Sequence, residues 1–215
     1  MRARILISAL ALFALPGPAT LAARELSLVV NLPAYRLDVF RDQERIRTYP
    51  VGIGTAQYPT PMGAWEIASV EWNPWWNPPP SPWARNERRT PPGPGNPMGR
   101  AKIGFLPLFY LHGSPAGIGR ASSHGCIRMK NEDVLDLARL IALETDALAE
   151  RDVRALERSS GRTRRIELPE PVTVRIVYRL AEEVDGRVHV HEDVYGMGMT
   201  ARERELARRA GRPPP

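Results

Sequence analysis

The chain has a single cysteine, Cys126, among its 215 residues. One thiol cannot close an intramolecular disulfide, so the fold is not a disulfide framework. The thiol is either a small buried hydrophobe or a nucleophile. Extended apolar runs are equally scarce. The run from Ile5 to Leu15 is too short for a comfortable membrane span, and Pro16 and Pro18 break it. Arg2 and Arg4 precede that run and small residues follow it. This is the layout of a secretory signal over residues 1–23, cleaved after Ala22 or Ala23, with an uncleaved anchor as the alternative. No cysteine lies near the cleavage site, which excludes a lipoprotein signal. No HExxH-like spacing occurs, and no interleaving of aromatic and basic residues points to nucleic acid. There is no internal repeat and no linker long enough to divide the chain.

What is present fits one domain with a substantial core: 43% of residues are hydrophobic and 25% charged. The net charge is +6, or +4 once Arg2 and Arg4 leave with the signal. A mildly basic exported protein suits an anionic surface such as the cell wall or a membrane, though solubility alone explains it equally well. Twenty-two prolines and 17 glycines favour turns and β-structure over a helical bundle. "LSLVVNL" reads as a buried strand. "YRLDVFRDQERIRTYPV" alternates around a polar turn at Asp42–Glu44 and reads as a hairpin. "AWEIASV" restarts a strand, and "AKIGFLPLFYLHG" reads as one apolar strand ending at His112-Gly113. "KNEDVLDLARLIAL" reads as a helix, with Asn131 as its cap and Val134, Leu137, Ala138 and Ile141 on one face. A short helix fits Asp152–Arg158. "VTVRIVYRLAEEVDGRVHVHEDVYG" reads as a hairpin turning at Asp185-Gly186. The domain so defined covers residues 24–195, and a charged tail, residues 196–215, follows as a frayed helix or a disordered end.

Residues 71–99 differ in character, holding nine prolines and four of the five tryptophans. Such a segment forms neither a helix nor a central strand. Its aromatics suit a lid or the wall of a substrate groove, with Trp76 and Trp83 facing the ligand. A loop that merely covers the core is the structural alternative.

The chemistry concentrates in "SSHGCIRM", residues 122–129. A thiol needs help to ionise near neutrality, and a histidine in reach supplies it and later protonates a leaving group. His124 is closer in sequence, but residues two apart on a strand lie side by side and do not face each other. His112 ends a separate strand and, paired across from Cys126, is the better general base, leaving His124 to line the pocket. Backbone N–H groups at Gly125 and Cys126 suit an oxyanion hole. Arg128 shares the alternation of Cys126 and presents a planar fork to a carboxylate. His112, His124 and Cys126 would also suffice for an open zinc site. No acidic base stands beside them, so the reading assigns no metal and no cofactor. His189 and His191 alternate on one strand and are read as incidental.

"HGSPAGIGRASSHGCIRM" closely resembles the signature of the L,D-transpeptidase (YkuD/ErfK-type) family: His-Gly, a spacer, then Ser-His-Gly-Cys-hydrophobic-Arg. "LVVNLPAYRLDVF", "TYPVGIG", "TPMGAWEI" and "GPGNPMGRAKI" extend the similarity, which covers residues 26–143 best. The resemblance implies a mainly β, β-sandwich-like catalytic domain with one or two helices and the long Trp/Pro-rich loop. It implies action on peptidoglycan stem peptides in the periplasm. Cys126 would attack the carbonyl of the third residue of a tetrapeptide stem, expel D-alanine and form a thioester. An amine would then take the acyl group, either from another stem or from a lysine of an anchored protein. His112 matches the family's general base, with the Gly113 carbonyl orienting its ring. Ser123, His124, Gly125 and Arg128 match the motif beside the nucleophile. The spacer is short and no LysM-type wall-binding module is present. A hydrolytic L,D-carboxypeptidase and a silent wall-binding module are the alternatives, and the intact Cys/His set opposes the second.

Overall fold

The computed structural model describes residues 25–211. The expected signal segment, residues 1–23, lies outside the described residues. The protein is mainly β. Strands β1 (Leu26–Asn31), β2 (Arg36–Arg41) and β3 (Glu44–Pro50) form an antiparallel meander. Two short strands, β4 (Ile53–Gly54) and β8 (Ala121–Ser123), pair in parallel. The centre is built from β5 (Gly63–Trp72), β6 (Ala101–Leu106), β7 (Phe109–Gly113) and β9 (Ile127–Met129), joined by β10 (Arg164–Val177). The resulting eight-stranded sheet has the order β3-β2-β1-β10-β5-β6-β7-β9. Helices α1 (Asn131–Glu144) and α2 (Glu150–Arg158) follow β9, and a separate hairpin of β11 (Ala181–Val184) and β12 (Arg187–Val190) follows β10.

One face of the sheet supplies the core. Leu28, Val30, Leu37, Val70, Trp72, Ile103, Leu111 and Val174 are fully buried there, together with Val134, Leu137, Ala138 and Ile141 of α1. Each large aliphatic or aromatic side chain so buried stabilises the fold by about 1.5–3 kcal/mol. The period of two along the strands therefore puts their alternate, polar residues on the opposite face.

Four local readings differ from the structure. The stretch 101–113 is two strands: Pro107 interrupts it and Leu108 turns it with a φ of 69°. Residues 172–177 leave the C-terminal hairpin and run parallel to β1 in the main sheet. Asn131 does not cap α1; the N-cap is Lys130, and the Asn131 Oδ1 accepts from the Arg100 N–H at 2.8 Å. The charged tail, read as a frayed helix or a disordered end, forms a capped helix, α3 (Ala201–Arg209), the third of a fold expected to hold one or two. A capping box at Thr200 and Glu203 starts it, and Met199 and Ala207 bury it against Leu180 and Ala181.

Candidate active site

The fold places His112 on β7 and Cys126 one residue before the neighbouring strand β9. Strands β7 and β9 run parallel, with Leu111 opposite Ile127 and His112 opposite Arg128. A parallel pair needs a long crossover. Residues 114–126 supply it, and this connection carries Ser-Ser-His-Gly-Cys. The expected pairing of His112 across from Cys126 is thus corrected by two residues. Cys126 sits beside Tyr110, and His112 lies one diagonal step away on the same face. Hydrogen bonds between such partners are often long in an enzyme without substrate and tighten in the complex.

A backbone latch fixes this loop. The Gly52 and Arg128 backbones exchange hydrogen bonds of 2.8 and 2.9 Å, and the Thr55 N–H donates to the Ser123 carbonyl at 3.0 Å. Gly125 has a φ of +105°, and a Cβ there would come within 2.6 Å of the Phe109 ring. Only glycine fits. The Ser123 hydroxyl donates to the Cys126 carbonyl at 2.6 Å and accepts from the Gly125 N–H at 3.1 Å. Two assignments change as a result. Ser123, expected at the substrate, closes the loop on itself. The Gly125 N–H, expected in an oxyanion hole, is already engaged. The Cys126 N–H bonds to no described residue and remains for that role.

The Cys126 thiol is partly exposed and donates to the Leu108 carbonyl at 3.6 Å. Burial raises its pKa, while the Tyr110 N–H and the Arg128 charge pull it down. His112 is buried. Its Nδ1 lies 2.9 Å from the Gly113 carbonyl, which only accepts, so Nδ1 carries the hydrogen and Nε2 keeps a lone pair. Burial lowers the His112 pKa from 6.5 to about 4, the Gly113 and Pro97 carbonyls oppose the shift, and Arg128 and Lys102 add to it. Gly113 has no room for a side chain, since a Cβ would fall 2.2 Å from Asn131 Oδ1. Asn131, read from sequence as a cap, is therefore a buttress of the His112-Gly113 turn. Arg128 is half-buried, donates to the Ser122 hydroxyl at 3.2 Å and meets no carboxylate among the described residues.

His124 is exposed at the rim. Its ring stacks on Trp83 at 4.0 Å with planes 7° apart, and Tyr58 tilts against it at 4.8 Å. Burial, then Arg128, lowers its pKa. The Trp/Pro-rich segment thus reaches the site through Trp83. Trp76 is held elsewhere, its backbone bridged to Thr90 in both directions at 3.0 Å, and no ring contact joins it to His124 among the described residues. Tyr58 escaped the sequence reading because nothing in "GTAQYPT" distinguishes it from a turn tyrosine. Tyr195 escaped it as well. Its hydroxyl donates to the Gly54 carbonyl at 2.9 Å and accepts from the Thr60 N–H at 3.2 Å, clamping the loop that carries Tyr58. Tyr195→Phe strands both groups. It is expected to cost about 1 kcal/mol, or about 2–4 °C in Tm. An unchanged melting curve would show that the clamp carries no energy.

The family model described as YkuD, L,D-transpeptidase catalytic domain, matches residues 26–168. The chain belongs to the L,D-transpeptidase family. Among its relatives is the probable L,D-transpeptidase ErfK/SrfK of Escherichia coli, 36% identical over 120 residues, a match covering 50% of this chain and 38% of that protein. The putative L,D-transpeptidase YkuD of Bacillus licheniformis is 30% identical over 117 residues, covering 53% and 59%. The chain therefore matches less than two thirds of the length of either relative. L,D-transpeptidase 3 of Mycobacterium tuberculosis aligns in three dimensions at 18% identity over 71% of this chain and 61% of that one, with a TM-score of 0.44. The family match ends before β11, β12, α3 and Tyr195. Among the described residues no helix is long and apolar enough to cross a membrane.

Proposed function

We propose that the protein is a peptidoglycan L,D-transpeptidase working in the periplasm through a Cys126 thioester. The observation that carries this reading is one juxtaposition: a partly exposed thiol, a buried carbonyl-oriented imidazole and a guanidinium paired with no carboxylate among the described residues, on one sheet face. His112 Nε2 takes the thiol proton as Cys126 Sγ attacks the carbonyl of the third stem residue. The Cys126 N–H receives the developing oxyanion. His112 returns the proton to the departing amine of D-alanine, leaving a thioester. An acceptor amine then attacks, the C–S bond breaks and a C–N bond forms. Arg128 holds a substrate carboxylate, and His124 with Trp83 and Tyr58 makes an aromatic rim for the peptide.

Water in place of the amine would give an L,D-carboxypeptidase with the same thioester. Incubation with purified muropeptides separates the two. Cross-linked dimers together with an acyl adduct on the intact protein mass are expected. Trimmed stems alone would favour hydrolysis, and the absence of any adduct would remove the thioester.

A further inference from the structure

Residues 55–59 carry Tyr58 to the rim as a loop without regular structure. One side chain from far along the chain closes both ends of that loop. The Tyr195 hydroxyl donates to the Gly54 carbonyl at 2.9 Å and accepts from the Thr60 N–H at 3.2 Å. Between those ends the Gly54 N–H donates to the buried Thr60 hydroxyl at 2.9 Å, and the Tyr58 N–H donates to the Thr55 carbonyl at 3.0 Å. The loop lies hard against the connection that carries the nucleophile. A Cβ at Gly54 would fall 2.2 Å from the Tyr58 carbonyl oxygen and 2.9 Å from the Gly125 Cα. At the tip, Tyr58 tilts against His124, whose ring stacks on Trp83.

Tyr195 is itself held in place. Its ring stacks on Tyr178 at 5.3 Å with planes 20° apart, and its N–H donates to the Tyr178 hydroxyl at 2.7 Å. That hydroxyl donates to the Asp193 carboxylate at 2.7 Å, which also accepts from the Met197 and Gly198 N–H groups at 3.0 and 2.7 Å. Tyr178 directly follows β10, so these contacts are anchored in the main sheet. Tyr178, Asp193 and Tyr195 all lie beyond the family-matched residues 26–168.

We infer that Tyr195 is a positioning residue, which acts through Tyr58 to hold the aromatic rim in the shape that takes the stem peptide. This rests on the peptide-rim reading above. A loop that must be ordered at the moment of binding gives up part of its contact energy, and a loop closed beforehand does not. One hydroxyl joining Gly54 to Thr60 supplies that closure, from a segment the family match does not include.

The test is equilibrium binding of a tetrapeptide stem, measured by calorimetry on the full chain carrying Cys126→Ala, so that no turnover accompanies the titration. Tyr195→Phe keeps the ring on Tyr178 and removes only the hydroxyl. It is expected to raise Kd about three- to tenfold at a temperature well below Tm. Tyr58→Ala is expected to raise Kd at least as much. Adding Tyr195→Phe to Tyr58→Ala is expected to change Kd by less than about twofold, because the first acts through the second. A clamp that only stabilises the fold would lower Tm and leave Kd unchanged, and that result overturns the proposal. Full additivity of the two substitutions also overturns it, since the effect of Tyr195 would then bypass Tyr58. The thioester is read separately: absence of an acyl adduct on the wild-type protein would remove it and leave the binding result standing. No binding of the stem to the Cys126→Ala chain would overturn the proposed function and the positioning role together.

Discussion

Cys126→Ala abolishes release of D-alanine from a tetrapeptide stem and removes the acyl adduct. The expected loss is on the order of 10⁴-fold or more, because no other group on that face can form the covalent intermediate. The chain contains no second thiol to substitute for it. The change removes one partly exposed sulfur that donates weakly to the Leu108 carbonyl at 3.6 Å. Tm is therefore expected to move little, which separates lost chemistry from lost folding. D-alanine release by this variant at anything near the wild-type rate would remove Cys126 from the mechanism.

His112→Gln is expected to lower kcat by about 10²–10⁴-fold with a much smaller effect on KM, the signature of a proton-transfer group. If KM alone rises, His112 and His124 have exchanged roles. The pH dependence is distinctive. Burial pushes the thiol up and the imidazole down to about 4, so both rest neutral at neutral pH, in contrast to a preformed ion pair. Activity is expected to climb with pH toward the raised thiol range, with no loss of the base until the pH approaches 4. Stability moves in the same sense. In the unfolded chain the imidazole takes its proton near 6.5, and in the folded protein only near 4. As the pH falls through that window the unfolded state binds more protons, and about 3 kcal/mol of stability is lost. Denaturant unfolding at a series of pH values measures the slope. It should flatten in His112→Gln, and an identical slope in that variant would place the acid sensitivity elsewhere.

Much of the fold was legible because strand alternation and helical spacing are local signals. The β1, β2 and β3 meander, α1 and the Asp185-Gly186 hairpin all follow from residues that are neighbours in sequence. Pro107 and Leu108 show where such reading stops. An apolar stretch conceals a tight turn when the turn residue is itself apolar: Leu108 is 51% exposed yet carries no polar signal. In the charged tail, read as a frayed helix or a disordered end, the capping box at Thr200 and Glu203 decides for the helix.

The sequence by itself determined the chemistry on offer: one thiol, two nearby histidines and an arginine, in the motif that assigns the family. Only the tertiary structure decided which backbone groups remain free. Ser123 and the Gly125 N–H, attractive as substrate contacts, satisfy each other, because a buried polar group takes whichever partner the loop provides. Asn131 became a buttress because Arg100, 31 residues away in the turn before β6, presented its N–H to it. Arg165, Glu71, Lys102, His112 and Arg128 became a row of neighbours through strand pairing, and Tyr58 and Tyr195 reached the site from connecting loops. Contacts of that kind depend on register between distant segments, and no periodicity within a segment records it.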